Sequence, residues 1–332
     1  LVLAIWLSHI TYDKLITYAG FMTSIQLCNL LAFTIYAAWK FEECHCPRLR
    51  EWDKQYIREL SGFAGWTIYS TGCIIARTQG IAILLNRFLG TAINAAYGIA
   101  LQVTGAVQFV SASILNAINP QIMKAEGCGD RQRMIMLAEY ASKYAFLLLS
   151  LVAIPLIAEM DAVLHLWLGE VPDHAVMFCQ FILAAALCDQ LTIGLGSANQ
   201  AIGQIRNYSI VVNTIKVFTV PSVWLCLRNG LSLTAVMICY VLFELVCAVV
   251  RLPFLKITAD ISVRHFIKSV FMRSICPIIT MILVTYCILH FISIRYRFIL
   301  TFAVSIFMGL ITIWATSLDK NEKALIAHYI RK

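Results

Sequence analysis

Long apolar runs, separated by short polar breaks, make up most of this chain. Reading between the breaks gives one partial run at 1–10 and nine full ones: 15–39, 60–86, 91–117, 141–160, 175–198, 208–227, 231–250, 270–291 and 298–317. A helix that crosses a bilayer needs about 20 mainly apolar residues. The pattern therefore predicts an all-α integral membrane protein, a multi-spanning helical bundle. The run 91–117 is the least apolar, with Asn94, Gln102, Thr104, Gln108, Ser111 and Ser113. Such a polar face predicts a helix lining a cavity, since lipid-facing polar groups are costly. Pro120 is expected to end that run, while Pro155, Pro221 and Pro277 fall inside others. The largest polar pieces are 40–58, which suits a helix along the membrane surface, and the stretch around 124–140. There a Gly-x-Gly turn is expected to lead into a second surface helix.

Composition agrees with the pattern. The 332 residues are 60% hydrophobic and 13% charged, with a mean hydropathy of +0.79. Soluble domains are roughly 45–50% apolar and about 25% charged. Charge then adds an orientation. If the loop 40–58 is cytoplasmic and sides alternate, nineteen of the 26 Lys and Arg collect on that side. Five fall on the other, and Arg77 and Lys216 remain inside runs. After 141–160 come Glu159, Asp161, Glu170 and Asp173 with no Lys or Arg among them. Lysine and arginine concentrate in cytoplasmic loops, so the net charge of +8 is a topology signal. It needs anionic lipid headgroups as partners and no nucleic acid. A multi-pass membrane protein with a cytoplasmic C-terminus is expected.

Catalytic chemistry is not indicated. The chain has no G-x-S-x-G, no H-E-x-x-H and no phosphate-binding Walker loop, so neither an enzyme nor a cofactor is expected. The twelve cysteines are scattered, mostly in apolar runs, where they act as small apolar filling. Cys44-His45-Cys46 is the one cluster, and no second cluster completes a metal site. The seven histidines are dispersed.

The chemistry lies in charges inside the runs. Trp66, Ser70, Cys73, Arg77 and Gly80 recur at spacings of three and four, which places them on one helix face. A charge near the bilayer middle costs at least ~2.5–3.5 kcal/mol by insertion scales. Arg77 either holds an anionic substrate group, snorkels to the interface, or closes an ion pair between helices. Asp189, Lys216 and Glu244 lie at similar depth on three successive runs. They read either as a structural charge pair centred on Lys216 or as a carboxylate site coupled to a proton or sodium ion.

One stretch resembles a known family. Residues 84–156 contain N-R-F-x-G, then A-x-x-x-A-Y-G-I-A-x-Q-V, then N-P-Q-I-x-K and G-D-x-x-x-M, then S-K-Y, and 163–175 continue with L-x-x-W-L-G-x-V-P. This ordered set resembles the polysaccharide-flippase branch of the multidrug/oligosaccharidyl-lipid/polysaccharide exporter superfamily, nearest to bacterial O-antigen and lipopolysaccharide transporters. The resemblance implies fourteen helices, in two six-helix lobes around a central cavity plus two extra helices. On that reading 1–40 is a remnant of the first lobe, 41–59 the inter-lobe loop and 60–254 a MATE-like second lobe. Residues 255–332 then hold the two extra helices and a tail. Earlier helices of the first lobe are expected to precede this sequence. The implied activity is flipping of an oligosaccharide on undecaprenyl diphosphate across the inner membrane, by alternating access through a cationic cavity. Arg77 is then the best-placed cation for the diphosphate, with Ser70, Gln79, Asn94, Gln102 and Gln108 as cavity polar groups for sugar hydroxyls. Contact with a glycan polymerase or glycosyltransferases fits such a role. The alternative within the superfamily is a sodium- or proton-coupled multidrug exporter using Asp189 or Glu244. A non-transporting membrane protein is a third class, disfavoured by the short outer loops.

Overall fold

A computed structural model describes residues 14–41, 54–203, 205–292, 296–319 and 322–323. Every regular element among them is helical, with no strand. In a bilayer no water satisfies backbone N–H and C=O groups, so spanning segments close their hydrogen bonds internally as helices. The elements are α1 (Lys14–Lys40), α2 (Lys54–Leu89), α3 (Thr91–Gly127), α4 (Arg131–Ala158), α5 (Met160–Leu168), α6 (Ala175–Gln190), α7 (Ile193–Ile202), α8 (Ile205–Arg228), α9 (Leu233–Ala259), α10 (Val263–Phe291) and α11 (Arg297–Ser317). π-turns occupy Ile267–Met272 in α10 and Ile313–Ser317 at the end of α11. Among the described residues, eight helices are long and apolar enough to cross a membrane, or nine if α6 and α7, bent by 44°, form one span. These match the nine runs read from the sequence. The partial run at 1–10 and the Cys44-His45-Cys46 cluster lie outside the described residues.

The chain divides into two units, Leu1–Ser61 and Gly62–Lys332. The first carries α1, whose apolar side chains are exposed along its length, Trp39 at 85%. The second is organised around α4, the most buried span, which touches α3, α6, α7, α10 and α11. Lipid offers no hydrophobic drive between helices, so close approach depends on small residues. Ala138, Ala141, Ser142 and Ala145 supply them on α4, all buried. The amide of Gly194 donates to Ser142 Oγ at 3.0 Å, and a Cβ on Gly194 would strike the Ala138 carbonyl. Gly309 of α11 is similar: an added Cβ would lie 2.6 Å from Leu151 Cδ2 and 2.7 Å from Met281 Sδ.

Three boundaries differ from the sequence reading. Pro120 lies inside α3, which continues to Gly127. Pro120 removes one amide donor, but it and Asn116 sit on the exposed face, so the orphaned carbonyl is not buried. The Gly-x-Gly turn is present, with Gly129 at φ +76° and Asp130 accepting from the Arg133 amide at 3.0 Å. It leads into no separate surface helix, because 131–158 is continuous as α4. Finally, 175–198 is not one straight helix. It breaks at Leu191–Thr192.

Apolar side chains form two clusters. One joins Ile81, Leu85, Tyr97, Leu149, Phe178 and Met237, and the other Ile122, Met134, Ala138, Leu195, Leu255 and Phe266. Along α6–α7 and α9 the charges fall between the cluster members: half-buried Asp189 between Ala186 and Leu195, and buried Glu244 and Arg251 between Tyr240 and Leu255.

Candidate functional site: a charged cavity between spans

Arg77 occupies the inward stripe of α2. Cys73, Arg77, Ile81 and Leu85 recur every four residues and are all buried. Beside the stripe, Gly80 leaves room for Val220 of α8, whose methyls lie 3.1 Å from where a Cβ would be. Two side-chain bonds hold α2 to α8, Tyr69 to Thr214 at 2.7 Å and Asn213 Nδ2 to Ser70 Oγ at 2.8 Å.

The Arg77 guanidinium forms an ion pair with the Glu244 carboxylate of α9. Tyr240, one turn earlier on α9, places its ring 5.0 Å from the guanidinium carbon, a cation–π geometry. Lys216 of α8 bridges two helices: its ammonium lies 3.2 Å from Glu244 Oε2 and 2.9 Å from Asp189 Oδ1 of α6. Arg251, two turns beyond Glu244 on α9, donates from Nη2 to the same Oδ1 at 2.7 Å. The result is a chain of charges, Arg77–Glu244–Lys216–Asp189–Arg251, across four helices.

Arg251 has a second task. The α6–α7 break leaves carbonyls without their helical partners. Arg251 Nη1 donates to the Asp189 carbonyl at 3.1 Å and to Thr192 Oγ1 at 3.2 Å. One guanidinium thus neutralises the Asp189 side chain and caps the backbone at the kink.

Beside this network is a cavity of about 330 Å³. Its lining includes Arg77, Asp189, Lys216, Glu244, Tyr240 and Gln108. Two lining side chains keep buried donors with no hydrogen-bond partner, Arg77 Nε and Thr104 Oγ1. Arg77 is therefore both paired with a carboxylate and adjacent to open space. The four lining charges balance, but Arg251 stands behind Asp189 and offsets it. With Arg251 counted, the network of three cations and two carboxylates carries a net charge of +1.

The residues singled out from the sequence divide. Arg77, Gln108, Asp189, Lys216 and Glu244 come together at the cavity. Ser70 is committed to the α2–α8 contact, Gln79 and Gln102 are exposed, and Asn94 is half-buried. None of these four lines the cavity. Lys216 joins both carboxylates, where the sequence suggests a pair with one or the other. Arg251 falls among the loop cations in the charge count, yet it is buried inside α9. Its signal is its seven-residue spacing from Glu244, two helical turns on one face, in a run that stays apolar through Leu255. Tyr240 escapes sequence reasoning as well, since a tyrosine in an apolar run carries no mark of its own, whereas Thr104 belongs to the polar face of 91–117 that predicts a cavity lining.

Two other loop charges are also internal. Lys143 of α4 is buried, with its ammonium 2.6 Å from Glu322 Oε1 and 4.9 Å from the Tyr144 ring. Glu159, expected as a loop carboxylate, is buried and bound by Arg297 at 2.9 Å and by Thr301 at 2.9 Å. Among the described residues, no group of three or more His, Cys, Asp or Glu is placed to hold a metal ion. No family model matches the chain, and neither does any curated protein or solved structure.

Proposed function

We propose that this protein is a transmembrane transporter for a lipid-linked oligosaccharide, flipping it across the bacterial inner membrane by binding its anionic diphosphate. The observation that carries the reading is a network of three cations and two carboxylates at a cavity between spans, Arg77, Lys216 and Arg251 with Asp189 and Glu244, whose net charge is +1 and in which Arg77 and Lys216 line the cavity. The unpartnered donors Arg77 Nε and Thr104 Oγ1 support it, because phosphate oxygens accept such hydrogen bonds and charge-assisted ones are the stronger kind. Gln108 in the same wall suits sugar hydroxyls. The motif resemblance over 84–175 points the same way. The one-sided lysine and arginine content supports a cytoplasmic C-terminus, and the motif resemblance supports the bacterial inner membrane.

The ion-coupled exporter reading draws less support. A sodium or proton site needs a carboxylate with charge to spare. Here Asp189 already faces Lys216 and Arg251, and Glu244 faces Arg77 and Lys216.

The test is complementation of a flippase-null strain, read as surface polysaccharide, with membrane abundance measured in parallel. Arg77→Ala alone leaves Glu244 with one cation fewer and is expected to abolish export. The double variant Arg77→Ala/Glu244→Ala removes both charges of the pair and is expected to insert normally yet remain inactive. Normal polysaccharide in the double variant would mean that Arg77 serves only to balance Glu244, and the anion-binding reading would fail.

A further inference from the structure

A second cavity, of about 350 Å³, lies between α4, the inner part of α6 and α10. Phe146, Ile154 and Ile157 of α4, Leu187 of α6, and Ile278 and Ile282 of α10 form its walls. It opens to the outside of the bundle, where Ile282 is 51% exposed. The two aliphatic hydroxyls in the wall are spoken for: Ser150 donates to the Phe146 carbonyl at 2.6 Å, and Thr285 to Ser305 Oγ at 3.3 Å. Apart from the exposed Tyr286, no polar side chain is left to hold water. An engineered apolar cavity of about 150 Å³ in another protein stays dry and takes up hydrocarbon, and this one is more than twice that size.

Depth identifies the occupant. The α4 wall runs from Phe146 to Ala158 and the α10 wall from Ile278 to Leu289, about 18 and 17 Å at 1.5 Å per residue. One leaflet's share of a ~30 Å hydrocarbon core is about 15 Å. Both walls finish at one end of their helices, since α4 ends at Ala158 and α10 at Phe291. That end carries interfacial groups. Tyr286 stacks on His290 with centroids 6.0 Å apart. Arg297, held by Glu159, donates to the Leu289 carbonyl at 3.3 Å and remains one-third exposed. An exposed tyrosine and a partly exposed guanidinium above a one-leaflet apolar slot suit a phosphodiester above a hydrocarbon tail.

We propose that this groove binds one acyl chain of a glycerophospholipid from the leaflet at the α4 C-terminal end, with the phosphate near Arg297. The assignment is independent of the transport reading. A polyprenyl chain of the sort that carries sugars is much longer than one leaflet, so an acyl chain fits the groove better.

The test uses the protein in phosphatidylcholine vesicles containing a phosphatidylcholine with a diazirine in mid-chain, and maps crosslinked peptides. Label is expected on 146–158 and 278–289 in excess over lipid-facing positions such as Phe218 and Leu242, which are 57% and 53% exposed. Ile282→Trp and, separately, Ile278→Phe fill the groove and should lose that excess. If either variant fails to fold, the other and the wild-type map still decide. Even labelling of all lipid-facing helices, or an excess unchanged in both variants, would overturn the proposal. Displacement of the label by polyprenyl phosphate, with no displacement by unlabelled phosphatidylcholine, would reassign the groove to an isoprenoid and overturn it as well.

Discussion

At the scale of single residues, the cost of burying charge governs this protein. Desolvating one ion costs several kcal/mol, and removing one partner of a buried pair costs about 3–5 kcal/mol because the other is stranded. Glu244 neutralises parts of two cations, so Glu244→Gln is expected to destabilise the detergent-solubilised protein by about that amount, read as a fall in its unfolding midpoint. Arg251 and Asp189 share one hydrogen-bonded oxygen. A double-mutant cycle of Arg251→Gln and Asp189→Asn should return a coupling of about 0.5–3 kcal/mol, the range for residues in one network. A coupling near zero would mean that the two act separately. Outside the spans, the hydrogen-bonded Arg273 guanidinium holds the Asp319 carboxyl below the usual carboxylate range. A carboxyl depressed on folding stabilises the folded state above its unfolded value, roughly pH 4, and that contribution is lost as pH falls through the folded value. Asp319 is about half exposed, so solvent screens the effect. Asp319→Asn should accordingly lower stability slightly at neutral pH, with the difference from the parent protein vanishing as pH falls, so that the acid side of the profile is flatter.

At the scale of elements, small residues decide which helices touch. Gly309→Leu would force a branched side chain into Leu151 and Met281. Overpacking of this kind costs typically about 1–3 kcal/mol, and loosened α10–α11 docking should appear as faster proteolysis or a lower melting point. Gly194→Ala should be worse for its size, since backbone rather than a side chain stands in the way. The spans themselves are legible in the sequence because hydropathy is a property of a window. The break in α6–α7 is not. Thr192, Ile193 and Gly194 pass as ordinary members of an apolar run, and side chains arriving from other helices, Arg251 from α9 and Ser142 from α4, satisfy backbone groups at the kink.

At the scale of the whole molecule, ion pairs with at least one buried partner tie ends of helices that the charge count puts on one side. Glu159 meets Arg297 at one end, and Lys143 meets Glu322 at the other. Taking buried Lys143 and Arg251 out of the loop tally lowers nineteen to seventeen, and the contrast with five on the opposite side survives. The proposed orientation puts exposed Cys128, in the α3–α4 turn, inside the cell and exposed Asp173 outside. An impermeant maleimide should label Asp173→Cys on intact cells and reach Cys128 only after permeabilisation. The reverse pattern would invert the topology and with it the direction of transport.

The sequence by itself determined that this is a helical membrane protein with the eight or nine candidate spans found among the described residues, because backbone satisfaction and apolar run length are local requirements that each segment meets alone. It also marked Arg77, Asp189, Lys216 and Glu244, since a charge inside an apolar run stands out wherever the run folds. Only the tertiary structure decided that these four meet, that Arg251 joins them, and that Gln79 and Gln102 do not. Pairing depends on the rotation and depth of helices relative to their neighbours, and those are set by contacts between distant segments.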